Sequence, residues 1–253
     1  AFAILLGNAG FSQNDTMYVN YGGNVTIAIP TSQIDSLTFY RPNITTSITD
    51  ADGNVYTSVT IGTQEWMVEN LRTTKYSDGA TIPNITDDTE WSNDTIGAWC
   101  NLNNDSQYDS TYGKLYNWYA VETEKLCPTG WHVPTNEEWI ALTDYLAADG
   151  HQNKEGVALK ATSGWYDYFG MSNGIGTDNY GWLGLSGGNR YHNGTFNSIG
   201  EQGFWWSSTK VYPLYYPVPE TKRWTYMLTE SADYLYHEDS DREYGFSVRC
   251  IKD

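Results

Sequence analysis

Four histidines, His132, His151, His192 and His237, are the side chains best suited to proton transfer near neutrality, because an unperturbed imidazole changes charge between about pH 5 and 8. No two of them are spaced as a metal-ligand pair, and neither an H-E-x-x-H zinc signature nor a G-x-S-x-G nucleophile elbow occurs. His132 lies in the apolar string Trp-His-Val-Pro, where a hydrogen-bonded structural histidine is the expected role. Carboxylates are plentiful, but the adjacent Glu137 and Glu138 fall in the first turn of an expected helix, a place that favours negative charge without any catalytic purpose. Asp50, Asp52 and Asn54 resemble half of a calcium loop. Gly53 stands where the EF-hand pattern does not put it and no ligating Glu follows at the right distance, so a D-G hairpin turn accounts for the same residues. No catalytic residue, no cofactor and no metal is expected, calcium being the one ion the pattern raises. Cys100, Cys127 and Cys250 lack the CxxC spacing of a redox or zinc site and allow one bridge with one thiol left over.

The charge balance narrows the partners. In 253 residues, 14 Lys+Arg stand against 31 Asp+Glu, a net charge of −17, which argues against nucleic acid and anionic membrane surfaces because both are bound through Lys and Arg. With 11 Trp and 21 Tyr the chain is not disordered, since disordered segments are poor in aromatics. Aromatics concentrate late in the chain. Tyr212, Tyr215, Tyr216, Trp224 and Tyr226 are the expected ligand-binding residues, because Tyr and Trp supply large, rigid contact area at low entropic cost and residues 211–220 read as a loop.

These residues need a scaffold, and its elements can be read in order. Residues 1–13 are an apolar segment too short to span a bilayer, read as the remnant of a secretory signal, as a strand donated to a neighbouring subunit through Phe2, Ile4, Leu5 and Leu6, or as a segment packed on the chain's own body. Residues 14–49 form a small β module and linker. Its hairpin turns at Gly22-Gly23, and Val25, Ile27 and Ile29 alternate along the second strand. Residues 50–253 form the large domain. Residues 77–113 carry little periodicity and read as surface loops. One main helix starts after Thr135, with Glu138 at the capping-box position and Trp139, Leu142 and Leu146 on one face, and ends at Asp149-Gly150. A shorter helix is expected within 153–161, and residues 244–252 alternate as a strand. The class is α+β with strands predominating.

The strings DADGNVYTSVTIGTQEWMVENL, GAWCNLNND, YGKLYNWYAV, LCPTGWHVPTNEEW, GFWWSST and YGFSVRC occur in the order that resembles the Fibrobacter succinogenes major paralogous domain family, over about residues 50–253. The preceding module resembles leader modules of secreted Bacteroidota proteins. WHVPTNEEW with a late GFSVRC also resembles C-type-lectin-like and formylglycine-generating domains. That likeness implies a mixed domain whose WHV strand pairs with the closing strand, bringing Trp131 beside Phe246 and setting Cys127 opposite Cys250 in a disulfide. The formylglycine-generating activity needs a cysteine pair at a groove, which this chain does not offer, and it lacks the Glu-Pro-Asn and Trp-Asn-Asp strings of calcium-dependent sugar binding. The family resemblance implies an exported surface domain; an uncharacterised enzyme of formylglycine-generating-like fold is the third reading, and the leading one is a secreted, extracellular or cell-surface protein without enzymatic activity. It would bind or assemble with extracellular proteins, glycans or copies of itself, either as a filament subunit or as an adhesin. Thr16, Ser36, Thr95 and Ser110, each after an Asp, resemble Bacteroidota O-glycosylation acceptors.

Overall fold

A computed structural model describes residues 16–21, 24–30, 47–166, 176–211 and 222–253. The chain divides into two compact units at Ile44/Thr45, five residues before the boundary read from composition. In the smaller unit, β1 (Thr16–Tyr21) and β2 (Asn24–Pro30) pair antiparallel from Thr16↔Pro30 to Tyr21↔Asn24, with one register shift at Val19/Asn20.

The larger unit opens with β3 (Ile48–Thr49) and β4 (Val55–Tyr56), joined by the D-G turn. Asp50 builds that turn. Its Oδ1 accepts from the backbone N–H of Asp52 and Asn54, and its Oδ2 accepts from Asn54 Nδ2 and, at 2.6 Å, from the Tyr56 hydroxyl. Gly53 takes φ +84°, where a side chain would be strained. Both oxygens of the residue that suggested calcium are thus engaged by protein donors.

Next come β5 (Ser58–Ile61), β6 (Gln64–Met67), α1 (Asp88–Asn93), β7 (Trp99–Asn101), α2 (Asp109–Tyr112), β8 (Lys114–Tyr116), α3 (Trp118–Val121) and β9 (Trp131–His132). The segment 77–113, expected to be surface loops, instead supplies α1, β7 and α2, with Trp91, Trp99 and Cys100 buried. Periodicity missed it because its elements are three to six residues long, too short to repeat. The main helix α4 (Asn136–Leu146) has the expected start: the Thr135 side chain accepts from the Glu138 N–H while Glu138 reaches back to the Thr135 N–H, and Trp139, Leu142 and Leu146 are its buried face. The short α5 (Glu155–Leu159) follows.

The remaining strands are β10 (Gly187–Arg190), β11 (Phe196–Ile199), β12 (Gln202–Lys210), β13 (Lys222–Thr229), β14 (Tyr236–Asp241) and β15 (Ile251–Lys252). Two sheets dominate: a five-stranded one in the order β11-β10-β12-β13-β14 and a four-stranded one in the order β5-β6-β15-β9.

The closing segment departs from the expected strand. Phe246, Val248 and Cys250 enter one core with Tyr116, Trp206 and Met67, while Ile251 enters a second core with Trp66, Trp139 and Trp205. Ser247 and Arg249 are buried as well, so the alternation in the text marks a ribbon with protein on both sides, not one face in water. The closing strand does lie beside WHV, but through Ile251↔His132 and Lys252↔Trp131; Phe246 lies opposite Tyr116, not Trp131.

One buried polar cluster ties the sheets to the loops. The Arg249 guanidinium is fully buried, donates through Nε and Nη2 to Asn70 Oδ1 at 3.2 and 2.7 Å and through Nη1 to the Trp182 carbonyl, and lies 3.9 Å from the Trp182 ring centre. The Trp205 indole N–H donates to the same Asn70 oxygen at 2.8 Å. Three of the strings that carry the family resemblance, VENL, GFWW and SVRC, therefore meet at one structural node.

Candidate functional site

The residues singled out from sequence scatter. Tyr212, Tyr215 and Tyr216, the apolar Phe2, Ile4, Leu5 and Leu6, and Ser36 lie outside the described residues. Trp224 is half-buried on β13 with its ring 5.3 Å from His237. Tyr226 must be reassigned: it is 3% exposed, its ring stacks on Trp139 at 4.5 Å, and its hydroxyl donates to Asn136 Oδ1, so it packs sheet against helix. On a β-strand, neighbouring aromatics point to opposite faces, and composition cannot say which face is wet. Thr16 lies in β1; Thr95 and Ser110 are exposed.

Cys127 and Cys250 are joined in a disulfide, with their Cα atoms 6.0 Å apart. Cys100 is a buried free cysteine, and burial pushes its thiol up to about 12, far from the reactive thiolate range.

Among the described residues, two of the clefts gather charged and polar side chains from several elements. The first, of about 570 Å³, is lined by Trp118, Glu122, Leu126, Trp131, His132 and Lys210 among others. Its charges are largely paired. Lys210 Nζ is 2.9 Å from Glu122 Oε1, while His132 Nε2 meets Glu138 at 2.9 Å and Nδ1 meets Asp253 at 2.8 Å. The hydrogen bond to Glu138 is the main force raising His132 to about 9, assisted by Asp253 and opposed by burial. An imidazole held cationic through neutrality is no general base; it clamps the N-terminus of α4 to residue 253.

The clamp has a pH signature. Because the folded pKa of His132 lies above its ordinary 6.5, its stabilisation is complete below about pH 6.5 and is lost as pH rises through about 9. With the side chain 36% exposed, solvent screening reduces the effect to about 1 to 2 kcal/mol. Urea unfolding at pH 6 and pH 9.5 should show that loss, and His132→Gln should flatten this part of the profile.

The second cleft, of about 370 Å³, crosses one face of the five-stranded sheet. Asn189 comes from β10, Gln202 and Phe204 from β12, Lys222 and Met227 from β13, and Glu238, Asp239 and Ser240 from β14, with Tyr191, Tyr244 and Phe246 alongside. The pairs Phe204↔Met227, Thr225↔Glu238 and Arg223↔Ser240 put Phe204, Met227, Glu238 and Ser240 on this face, and Lys222 and Asp239, one residue out of phase, also line the cleft. Gly188 allows β10 to fit: at φ +62° its Cβ position would lie 2.3 Å from the Asn197 carbonyl.

Aromatic rings form one wall, with Tyr191 and His192 each 5.3 Å from Tyr244 and Tyr244 5.4 Å from Phe246. Lys222 Nζ lies 3.4 Å from both Asp239 and Asp241. Burial, then Asp239, raises the Glu238 carboxyl above its ordinary range. Asn189 is 3% exposed, and its Oδ1 has no hydrogen-bond partner among the described residues.

Sequence reading missed this cleft because its residues are spread from 189 to 246 and share no spacing. The late aromatics were the only pointer; of the residues they singled out, Tyr212, Tyr215 and Tyr216 lie outside the described residues, and Trp224 and Tyr226 do not line this cleft. Among the described residues no group of three or more His, Cys, Asp or Glu is placed to hold a metal, and no helix is long and apolar enough to cross a membrane.

Compared with known proteins, the chain matches the family model described as Fibrobacter succinogenes major domain over residues 59–252. No curated protein and no solved structure matches.

Proposed function

We propose, since the chain belongs to the Fibrobacter succinogenes major domain family, that it is an exported surface domain which binds or assembles with extracellular partners and carries no catalytic chemistry. The Cys127–Cys250 disulfide carries this reading, because such bridges persist in oxidising compartments and are reduced in a cytosol. The ion pairs of the first cleft agree with it. His132 is committed to Glu138 and Asp253, and Lys210 to Glu122, so these groups serve stability more than proton transfer. A strand-rich scaffold with packed cores suits a display role, in which loops and sheet faces meet partners.

Thiol counting tests the compartment. Protein taken from its native host and denatured in iodoacetamide should gain one alkyl group, on Cys100; folded protein should gain none, because Cys100 is buried. Three alkyl groups after denaturation would place the protein in a reducing compartment and end the exported reading. An intact mass above that of the polypeptide would add glycosylation, with exposed Thr95 and Ser110 the first sites to map.

A further inference from the structure

The cleft on the five-stranded sheet offers acceptors without donors to match. Glu238 makes no hydrogen bond or ion pair among the described residues, and the Asn189 Oδ1 is buried and unpartnered. Glu238 is exposed and its carboxylate is met by water, whereas the buried Asn189 oxygen left unmatched costs about 1 to 3 kcal/mol, which a ligand that brings a donor recovers. Charge sets the kind of donor. Glu238 and Asp239, with Asp241 beside Lys222, contribute three negative charges against the single positive of Lys222, a local net of −2. The wall of Tyr191 and Tyr244 presents electron-rich ring faces, and Tyr191 is 38% exposed. Unpaired carboxylate, amide oxygen and aromatic faces together fit a cation carrying N–H donors.

We propose that this cleft binds the ammonium or guanidinium side chain of a basic peptide segment. The cation would sit between the Glu238 carboxylate and the Tyr191/Tyr244 wall, with an N–H directed toward Asn189. The partner would then be an extracellular protein displaying Lys or Arg, drawn in by the negative charge of the chain. The proposal refines the reading of an extracellular binder. Its test uses purified protein, so it does not depend on where the protein resides.

Isothermal titration with tetralysine at 0.15 M salt provides the measurement. Glu238→Gln, which keeps shape and removes charge, should weaken binding about fivefold to tenfold, and Tyr191→Ala about threefold to fivefold. Lys222→Gln should tighten it about threefold, because it removes the competing cation. Glu122→Gln with Glu124→Gln, in the other cleft, should change it by less than about twofold, which separates a site from attraction to the overall charge. Near-ultraviolet circular dichroism confirms that each variant is folded. Equal weakening by the substitutions in both clefts, or equal binding of ε-acetylated tetralysine, overturns the proposal. Binding of cellotetraose that is lost in Tyr191→Ala, with tetralysine silent, also overturns it and makes the cleft a neutral-glycan site.

Discussion

Replacing Cys127 and Cys250 together with alanine should lower the unfolding free energy of the larger unit by about 4 to 5 kcal/mol and its melting temperature by about 10 to 15 °C. The bridge joins residues 123 apart, so breaking it returns to the unfolded chain the freedom of a very long loop. The closing strand is also held by β6 and by its buried side chains, but its direct ties to the segment that carries Cys127 are few. β9 and β15 pair over only two residues, Ile251↔His132 and Lys252↔Trp131, and the nearby clamp of His132 is a partly exposed ion pair. Urea melts of native, reduced and alanine-substituted protein provide the check. Reduced and substituted proteins should coincide, and both should show a steeper denaturant dependence than the native form, because their unfolded chains expose more surface. A loss below about 1 kcal/mol would mean that packing alone positions the closing strand.

Asn70→Ala is expected to cost about 3 to 5 kcal/mol, a large loss for one small side chain. Asn70 Oδ1 accepts from Arg249 Nε, Arg249 Nη2 and Trp205 Nε1, while Nδ2 donates to the Tyr112 carbonyl and the Ser247 hydroxyl. Removing the amide takes an acceptor from an indole N–H and from a fully buried guanidinium that keeps only the Trp182 and Leu183 carbonyls, and among the described residues no carboxylate forms an ion pair with Arg249. Asn70→Asp should lie between wild type and Ala: it gives Arg249 a counter-charge but cannot donate to Tyr112 or Ser247. The new carboxylate, stabilised by Arg249, would titrate below its unfolded value. Its contribution would be present above about pH 4 and lost as pH falls through the depressed pKa. Urea titrations of both variants at pH 7 and pH 3 test the order and its pH dependence.

The Asn70 node explains why the family strings speak to fold and are silent on chemistry. VENL, GFWW and SVRC supply an amide, an indole and a guanidinium that satisfy one another in the interior. The motif residues are consumed by the need to pair buried polar groups. The sheet cleft, by contrast, takes Phe204, Tyr244 and Phe246 from those strings but its polar members Asn189, Glu238 and Asp239 from between them.

Local signals were legible where the physics is local. The helix after Thr135 could be placed because a capping box and a 3.6-residue apolar period involve only neighbours, and the structure contains both. The D-G turn at Asp50 follows from side-chain bonds spanning at most six residues. Segment 77–113 and the ribbon 245–250 were misread, because their burial is set by what packs on them from elsewhere in the chain.

From the amino-acid sequence alone came the α+β class, the main helix with its cap, the family and the net charge of −17. Tertiary structure decided that Tyr226 is core, that Arg249 needs Asn70, and that Asn189 and Glu238 share one cleft. Caps, turns and net charge depend on adjacent residues or simple sums, whereas burial and the matching of hydrogen-bond donors to acceptors depend on which distant segments the fold brings within about 3 Å of one another.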